Sequence, residues 1–155
     1  MIDRAVKACA KALHNGNKLM FIGNGGSCSQ AEHLACEFIG SGLPAIALTN
    51  PSIITAIAND GDFSEVFRQQ VWVLGKSGDI LFALSTSGQS QNIINAVLVA
   101  HDKECKVIAM TGRHTPLAKI ADISLEFSGD IPEIQEQTIR AGHAIWRDVV
   151  KRRCE

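Results

Sequence analysis

The sequence predicts an α/β fold, a three-layer doubly wound sandwich in which helices cover both faces of a five-stranded parallel sheet. Three observations carry this expectation. Short apolar runs alternate along the chain with segments of helical periodicity. The runs are almost wholly apolar, the pattern of strands buried on both faces. Glycine-rich or hydroxyl-rich turns lead from strand directly into helix. Such alternation specifies a parallel sheet, and right-handed crossovers wind it on both sides.

The elements follow in order. Met1 to His14 carries Ile2, Val6, Cys9, Ala10 and Leu13 at helical spacing, and Asn15-Gly16-Asn17 stops that helix. Lys18–Ile22 is a short buried strand, and Gly23-Asn24-Gly25-Gly26-Ser27 turns the chain into a helix over about Ser29–Ile39. Pro44–Leu48 is a second strand. Asn50-Pro51 then supplies a cap and an N1 proline for a short helix through Ala58, and another helix covers Ser64–Leu74 up to Gly75. Asp79–Leu84 is the third strand, feeding the turn Ser85–Ser90 and a crossover helix over Asn92–Glu104. Lys106–Met110 and Ile123–Phe127 are the fourth and fifth strands, with one or two helical turns at Pro116–Ile120 between them. A long helix starts near Pro132 and carries Ile134, Ile139, Ala141, Ile145, Trp146 and Val149.

At 155 residues the chain fits one domain, 1–155, with no repeat or linker. Apolar residues make up 46%, charged residues 20%, and the net charge is -1, so no cationic face for nucleic acid is expected. Lys151-Arg152-Arg153 reads as a solvated helix end. No uninterrupted apolar run approaches the ~20 residues of a membrane span, the N-terminus is no signal peptide, and the expected location is the cytoplasm. Cys9, Cys28, Cys36, Cys105 and Cys154 are odd in number, lack a Cys-x-x-Cys pairing, and read as reduced thiols.

The turn Ser85-Thr86-Ser87-Gly88-Gln89-Ser90 stands between a strand and a helix N-terminus, where free N–H groups and the helix dipole favour an anion such as a phosphate. The bland reading is an ordinary capped turn. Because it holds no Lys or Arg, a sugar phosphate fits better than a nucleoside triphosphate. The Gly23 turn resembles a dinucleotide fingerprint but has Cys28 at the third glycine position, and no acid ends the second strand, so no nucleotide is expected. His33 and Glu37 are four residues apart and share a helix face; Gln135 and His143, eight apart, can also look in a common direction. Two such pairs suit a mixed nitrogen and oxygen metal site or an acid and a base around a substrate. His14, His101 and His114 lack such partners and read as surface residues; Met20 and Met110 read as core, and Trp72 and Trp146 as packed on helices, an exposed position meaning a subunit contact.

Taken together, these residues resemble the SIS (sugar isomerase) domain, and within it the sedoheptulose 7-phosphate isomerase family, from about Lys18 to Val150. The resemblance rests on Gly23–Ser27, His33 with Glu37, Ala58-Asn59-Asp60, Leu84–Ser90, and Ile134-Gln135-Glu136 with His143. It implies an isomerase that forms glycero-manno-heptose 7-phosphate by enediol proton transfer, for cell-surface glycan precursors. It implies phosphate contacts from Ser85, Thr86, Ser87 and Ser90, and further substrate contacts from Asn24, Ser27, Asp60 and Gln135. Glu37 and His143 are implied as the acid and base, and His33, Glu37, Gln135 and His143 as ligands of one zinc ion. A homotetramer or homodimer is implied as well. The chain departs from the family pattern in its first helical segment, in a short Gly40–Pro44 stretch without a family arginine, and at Cys36 and Pro132. A non-catalytic SIS module, either a sugar-phosphate sensor or a relative of the DnaA-binding replication-initiation protein, is the competing expectation; that group tends to lose the histidine found here at His143.

Overall fold

A computed structural model describes residues 1–153; Cys154, expected as a reduced thiol, lies outside them. In chain order the elements are α1 (Ile2–His14), β1 (Leu19–Gly23), α2 (Gly26–Gly40), β2 (Ala45–Ala47), α3 (Pro51–Asp60), a 3₁₀ turn (Phe63–Glu65), α4 (Arg68–Leu74), β3 (Ile80–Ser85), α5 (Gln91–Asp102), β4 (Lys106–Gly112), α6 (Pro116–Ile120), β5 (Ile123–Phe127) and α7 (Ile131–Arg153). The five strands are all parallel, in the order β2-β1-β3-β4-β5. The expected doubly wound sandwich is the observed one.

Strand alternation sorts the core into two layers. Phe21 and Phe82 are register partners and stack with centroids 4.6 Å apart on one face, against Val6, Leu34, Phe38 and Ile145 from α1, α2 and α7. Met20, Ile22, Leu81 and Ala83 point the other way, against Val71, Ile93, Val97 and Leu117 from α4, α5 and α6. Each large apolar side chain withdrawn from water contributes about 1.5–3 kcal/mol before chain entropy is set against it.

The winding changes direction between β1 and β3, because β2 lies on one side of β1 and β3 on the other. Ligands of such sheets sit beyond the carboxyl ends of the strands at that point. Gly23 pairs with Leu84, so the turns that follow these two strands stand side by side in the crevice.

At the opposite, amino edge the same two strands are tied by a buried carboxylate. Asp79, 1% exposed, accepts from the Lys18 amide at 3.0 Å, the Lys76 amide at 2.9 Å and Asn17 Nδ2 at 3.2 Å, and pairs with the Lys18 ammonium. Burial opposes its charge, but these donors outweigh burial and hold the carboxyl below its ordinary range. Burial pushes the nearby Cys105 thiol up to about 11, and Asp79 adds to that rise. Cys9 is raised by burial as well. No disulfide forms among the described cysteines.

Local departures have physical causes. The helix expected over Ser64–Leu74 is split, because Val66 and Phe67 turn into the core between the 3₁₀ turn and α4. The second strand shortens to Ala45–Ala47 because it is the sheet edge, where Ile46 is 41% exposed. Trp72, expected to pack, is 55% exposed, with the Lys103 ammonium 5.1 Å over its ring. His101, expected to lack partners, has Nε2 2.9 Å from the Ile120 carbonyl and Nδ1 3.9 Å from Asp122. At the basic end Lys151 is exposed, and Arg152 donates to Asp3 at 3.2 Å, joining α7 to α1. No helix of the described residues is long and apolar enough to cross a membrane.

Candidate active site

The Ser85–Ser90 turn gains its shape from β4 and the loop after it. Gly88 has φ +59, and a Cβ there would lie 2.3 Å from Thr115 Oγ1 and 2.6 Å from Thr111 Oγ1, so only glycine fits both the backbone and the space. The Thr111 and Thr115 hydroxyls are 3.1 Å apart. Gly112 N–H donates to the Thr86 carbonyl and Leu117 N–H to that of Gly88, which secures the turn from behind. Within it, the Gly88 amide donates to Ser85 Oγ at 3.1 Å, and Ser85 Oγ and Ser90 Oγ are 3.4 Å apart. Among the described residues the backbone N–H groups of Ser87, Ser90 and Gln91 have no acceptor. They head a 12-residue helix. That arrangement suits an anion carrying several acceptor oxygens.

The neighbouring Gly23 turn presents Asn24, half-buried, and Ser27, buried. Asn24 and Asn92 exchange two side-chain hydrogen bonds, each 2.9 Å, across the crevice. At the head of α2, the Gln135 amide lies against Gly26, where a Cβ would be 2.6 Å from Nε2. Gln30 Nε2 donates to the Gln135 carbonyl at 2.7 Å, while Gln30 Oε1 is buried with no donor among the described residues.

Further along the same two helices, His33, Glu37 and His143 converge. Their ligand atoms all lie within 4.8 Å of one another; His33 Nε2 is 2.9 Å from His143 Nε2 and 3.5 Å from Glu37 Oε1. Gly142 permits this meeting, since a Cβ there would lie 2.5 Å from Leu34 Cδ2, and the helices touch where the two histidines project. Trp146 braces the contact: its Nε1–H donates to Ser41 Oγ at 3.0 Å, Ser41 Oγ donates to the Glu37 carbonyl at 2.9 Å, and its ring meets His143 edge-on. As the structure stands, the imidazole pair needs one Nε2–H donor and one lone pair. A tetrahedral zinc ion with ligands at about 2.0–2.1 Å would separate them by about 3.3 Å, close to the observed spacings, and imidazole and carboxylate are zinc-binding groups. The donor set therefore fits the metal. Cys36 is exposed beside Glu37, and Arg140 and Arg147 line an open pocket next to His143.

The structure thus brings the expected residues into two neighbouring groups and one separate position. Asn24, Ser27, Gln135 and the Ser85–Ser90 turn surround the switch point. His33, Glu37 and His143 stand deeper along α2 and α7; a rise of 1.5 Å per residue puts His33 about 10 Å beyond Gly26. Asp60 ends α3, exposed, accepting from Asn59 Nδ2 and bordering a pocket with Ala56, Ile57, Glu65 and Gln69. Sequence reasoning missed Asn92, Gln30 and the Thr111–Thr115 pair. Only position could have signalled Asn92, a polar residue in the helical turn that follows the hydroxyl-rich loop.

Known proteins share this arrangement. Residues 1–112 match the family model for the SIS domain. A phosphoheptose isomerase of Aliarcobacter butzleri is 44% identical over 153 residues, covering 93% of this chain and 81% of that protein. The solved phosphoheptose isomerase of Neisseria gonorrhoeae superposes with a TM-score of 0.93 at 40% identity, over 96% of this chain and 84% of that one. The structure from Francisella tularensis gives 0.93 at 39%, over 97% and 85%. Since the match takes in both turns and both helices of the site at this level of identity, the chain belongs to the SIS-domain family and, within it, to the phosphoheptose isomerases.

Proposed function

We propose that the chain is a sugar-phosphate isomerase that converts sedoheptulose 7-phosphate to glycero-manno-heptose 7-phosphate. The observation that carries this reading is the convergence of His33, Glu37 and His143 within 4.8 Å beside an anion-binding turn, in a chain of this family. The serine turn holds the phosphate through the Ser85, Thr86, Ser87 and Ser90 hydroxyls and open N–H groups, and Asn24, Ser27 and Gln135 orient the sugar. Glu37 takes the carbon-bound proton at C2 or C1 and returns it to the other, while His143 moves the proton between the two oxygens. His33, Glu37 and His143 would hold zinc, which supplies charge stabilisation for an enediolate when bound; the Gln135 amide lies against Gly26 at the head of α2, so its place as a fourth ligand rests on the resemblance alone. The phosphate serves as a handle whose binding energy orients the reacting carbons.

Sugar length supports the reading. Six carbon–carbon bonds of about 1.5 Å, zig-zag, span about 7.5 Å from C1 to C7 before the phosphate is added, comparable with the axial step from the turns to the histidines. Asp60 makes no described contact with either group, and its contact with sugar hydroxyls rests on the resemblance alone. Self-association into a homotetramer or homodimer is part of the proposal, supported by α3, none of whose residues is buried, and by exposed Ile53, Trp72 and Val73. A cytoplasmic setting agrees with free thiols on the described cysteines. A coupled assay with sedoheptulose 7-phosphate, run before and after chelation, tests the activity; no turnover by folded, zinc-loaded protein overturns it. Light scattering tests the assembly, and a monomer at working concentration refutes that part.

A further inference from the structure

We propose that Asn92 is a positioning residue that dictates which hydrogen-bonding edge of Asn24 the sugar phosphate meets; this rests on the reading of the two turns as the substrate site. An amide side chain offers two N–H donors and two carbonyl lone pairs, and its orientation follows from its partners. Asn92 is 3% exposed, and its Oδ1 accepts from the Ile93 backbone amide at 3.0 Å as well as from Asn24 Nδ2 at 2.9 Å. Both lone pairs are occupied by donors. Flipping both amides together would keep their mutual pair but set the Asn92 NH₂ group against the Ile93 backbone N–H, so the α5 backbone fixes Asn92. Asn92 Nδ2 then donates to Asn24 Oδ1 at 2.9 Å, and Asn24 is fixed in turn. One N–H and one lone pair of Asn24 remain, in a defined order, for the ligand.

The same arrangement frees a hydroxyl. Ser90 occupies the N-cap of α5 but makes no side-chain capping bond, because the Ile93 amide that a cap would satisfy is taken by Asn92 Oδ1 and the Ser90 carbonyl. Ser90 Oγ stays beside Ser85 Oγ on the anion side. Asn92 therefore couples the turn after β1 to the turn after β3 and leaves the hydroxyls of the second turn for phosphate.

A double-mutant cycle over Asn24→Ala and Asn92→Ala, read as KM and kcat for sedoheptulose 7-phosphate, tests this. Asn92→Ala is expected to raise KM about tenfold with most of kcat retained, and the double variant to be no worse than Asn24→Ala alone. A purely structural role would instead lower apparent kcat at parental KM. Independent, multiplicative effects on KM, or a parental KM in Asn92→Ala, overturn the proposal. Should Asn92→Ala fail to fold, Asn92→Asp keeps the acceptor for Ile93 and sets a carboxylate oxygen against Asn24 Oδ1. Its KM should rise at least as much, and a parental value overturns the proposal equally. If the parent itself turns over no sedoheptulose 7-phosphate, the site reading falls and this inference with it, an outcome distinct from an active parent with an indifferent Asn92.

Discussion

At the amino ends of β1 and β3, Asp79 is buried and accepts from Lys18, Lys76 and Asn17 together. At their carboxyl ends, among the described residues, the N–H groups of Ser87, Ser90 and Gln91 stand without acceptors and Gln30 Oε1 without a donor, and His33, Glu37 and His143 crowd together half-exposed. Both clusters are polar, both join segments distant in the chain, and both lie on the same strand pair. They differ in saturation. A buried charge with every lone pair occupied has nothing left to offer a ligand and serves the fold. The carboxyl-end cluster, with open N–H groups and exposed imidazole and carboxylate groups, has capacity left for a substrate or ion, and unmet valence, more than polarity, distinguishes the proposed site from the scaffold.

The largest expected effect separates the two ends cleanly. Glu37→Gln should lower kcat by about 10²–10⁴, the usual contribution of a positioned base, while substrate binding stays measurable by calorimetry and the melting temperature barely moves. Parental turnover would refute the base role. Asp79→Ala should do the reverse. Removing one partner of a buried pair costs about 3–5 kcal/mol, read by denaturant unfolding, with parental KM in the fraction that remains folded.

Asp79 also sets an acid limb. Its carboxyl is depressed in the folded state, so its stabilisation is complete above the unfolded value of about 3.9 and is lost as pH falls through the lower folded value. Melting curves below pH 4 should fall steeply for the parent and less so for Asp79→Asn. Equal slopes would show that the limb lies elsewhere.

Smaller effects test the edges of the contrast. Ser87→Ala removes one hydroxyl from the anion turn and should raise KM about tenfold with little change in kcat, as a lost charge-assisted hydrogen bond would. A drop confined to kcat would mean that the turn joins the chemistry. Lys103→Met removes the ammonium over exposed Trp72; the expected loss is under about 1 kcal/mol in stability, with unchanged kinetics. A larger loss would make that pair part of the scaffold.

Much of this was legible in the sequence because it is local. The boundaries of Pro116–Ile120 and Ile123–Phe127 are those expected, since proline at a helix start and an apolar run in a strand act within a few residues. His33 and Glu37 share a face because a helix of 3.6 residues per turn puts them there. The broken helix at Val66 and the exposed Trp72 were hidden, because periodicity does not say which apolar face meets a neighbour.

By itself, then, the sequence determined the alternation of elements, the two turns at strand ends, and the residue types that can bind an anion or exchange a proton. Tertiary structure alone decided the rest. His33 and His143 are 110 residues apart and meet because Gly142 lets α7 press on Leu34; Asn24 and Asn92 pair across 68 residues because β1 and β3 are neighbours. Such contacts depend on which surfaces pack together, and packing is a property of the whole core that no short window of residues contains.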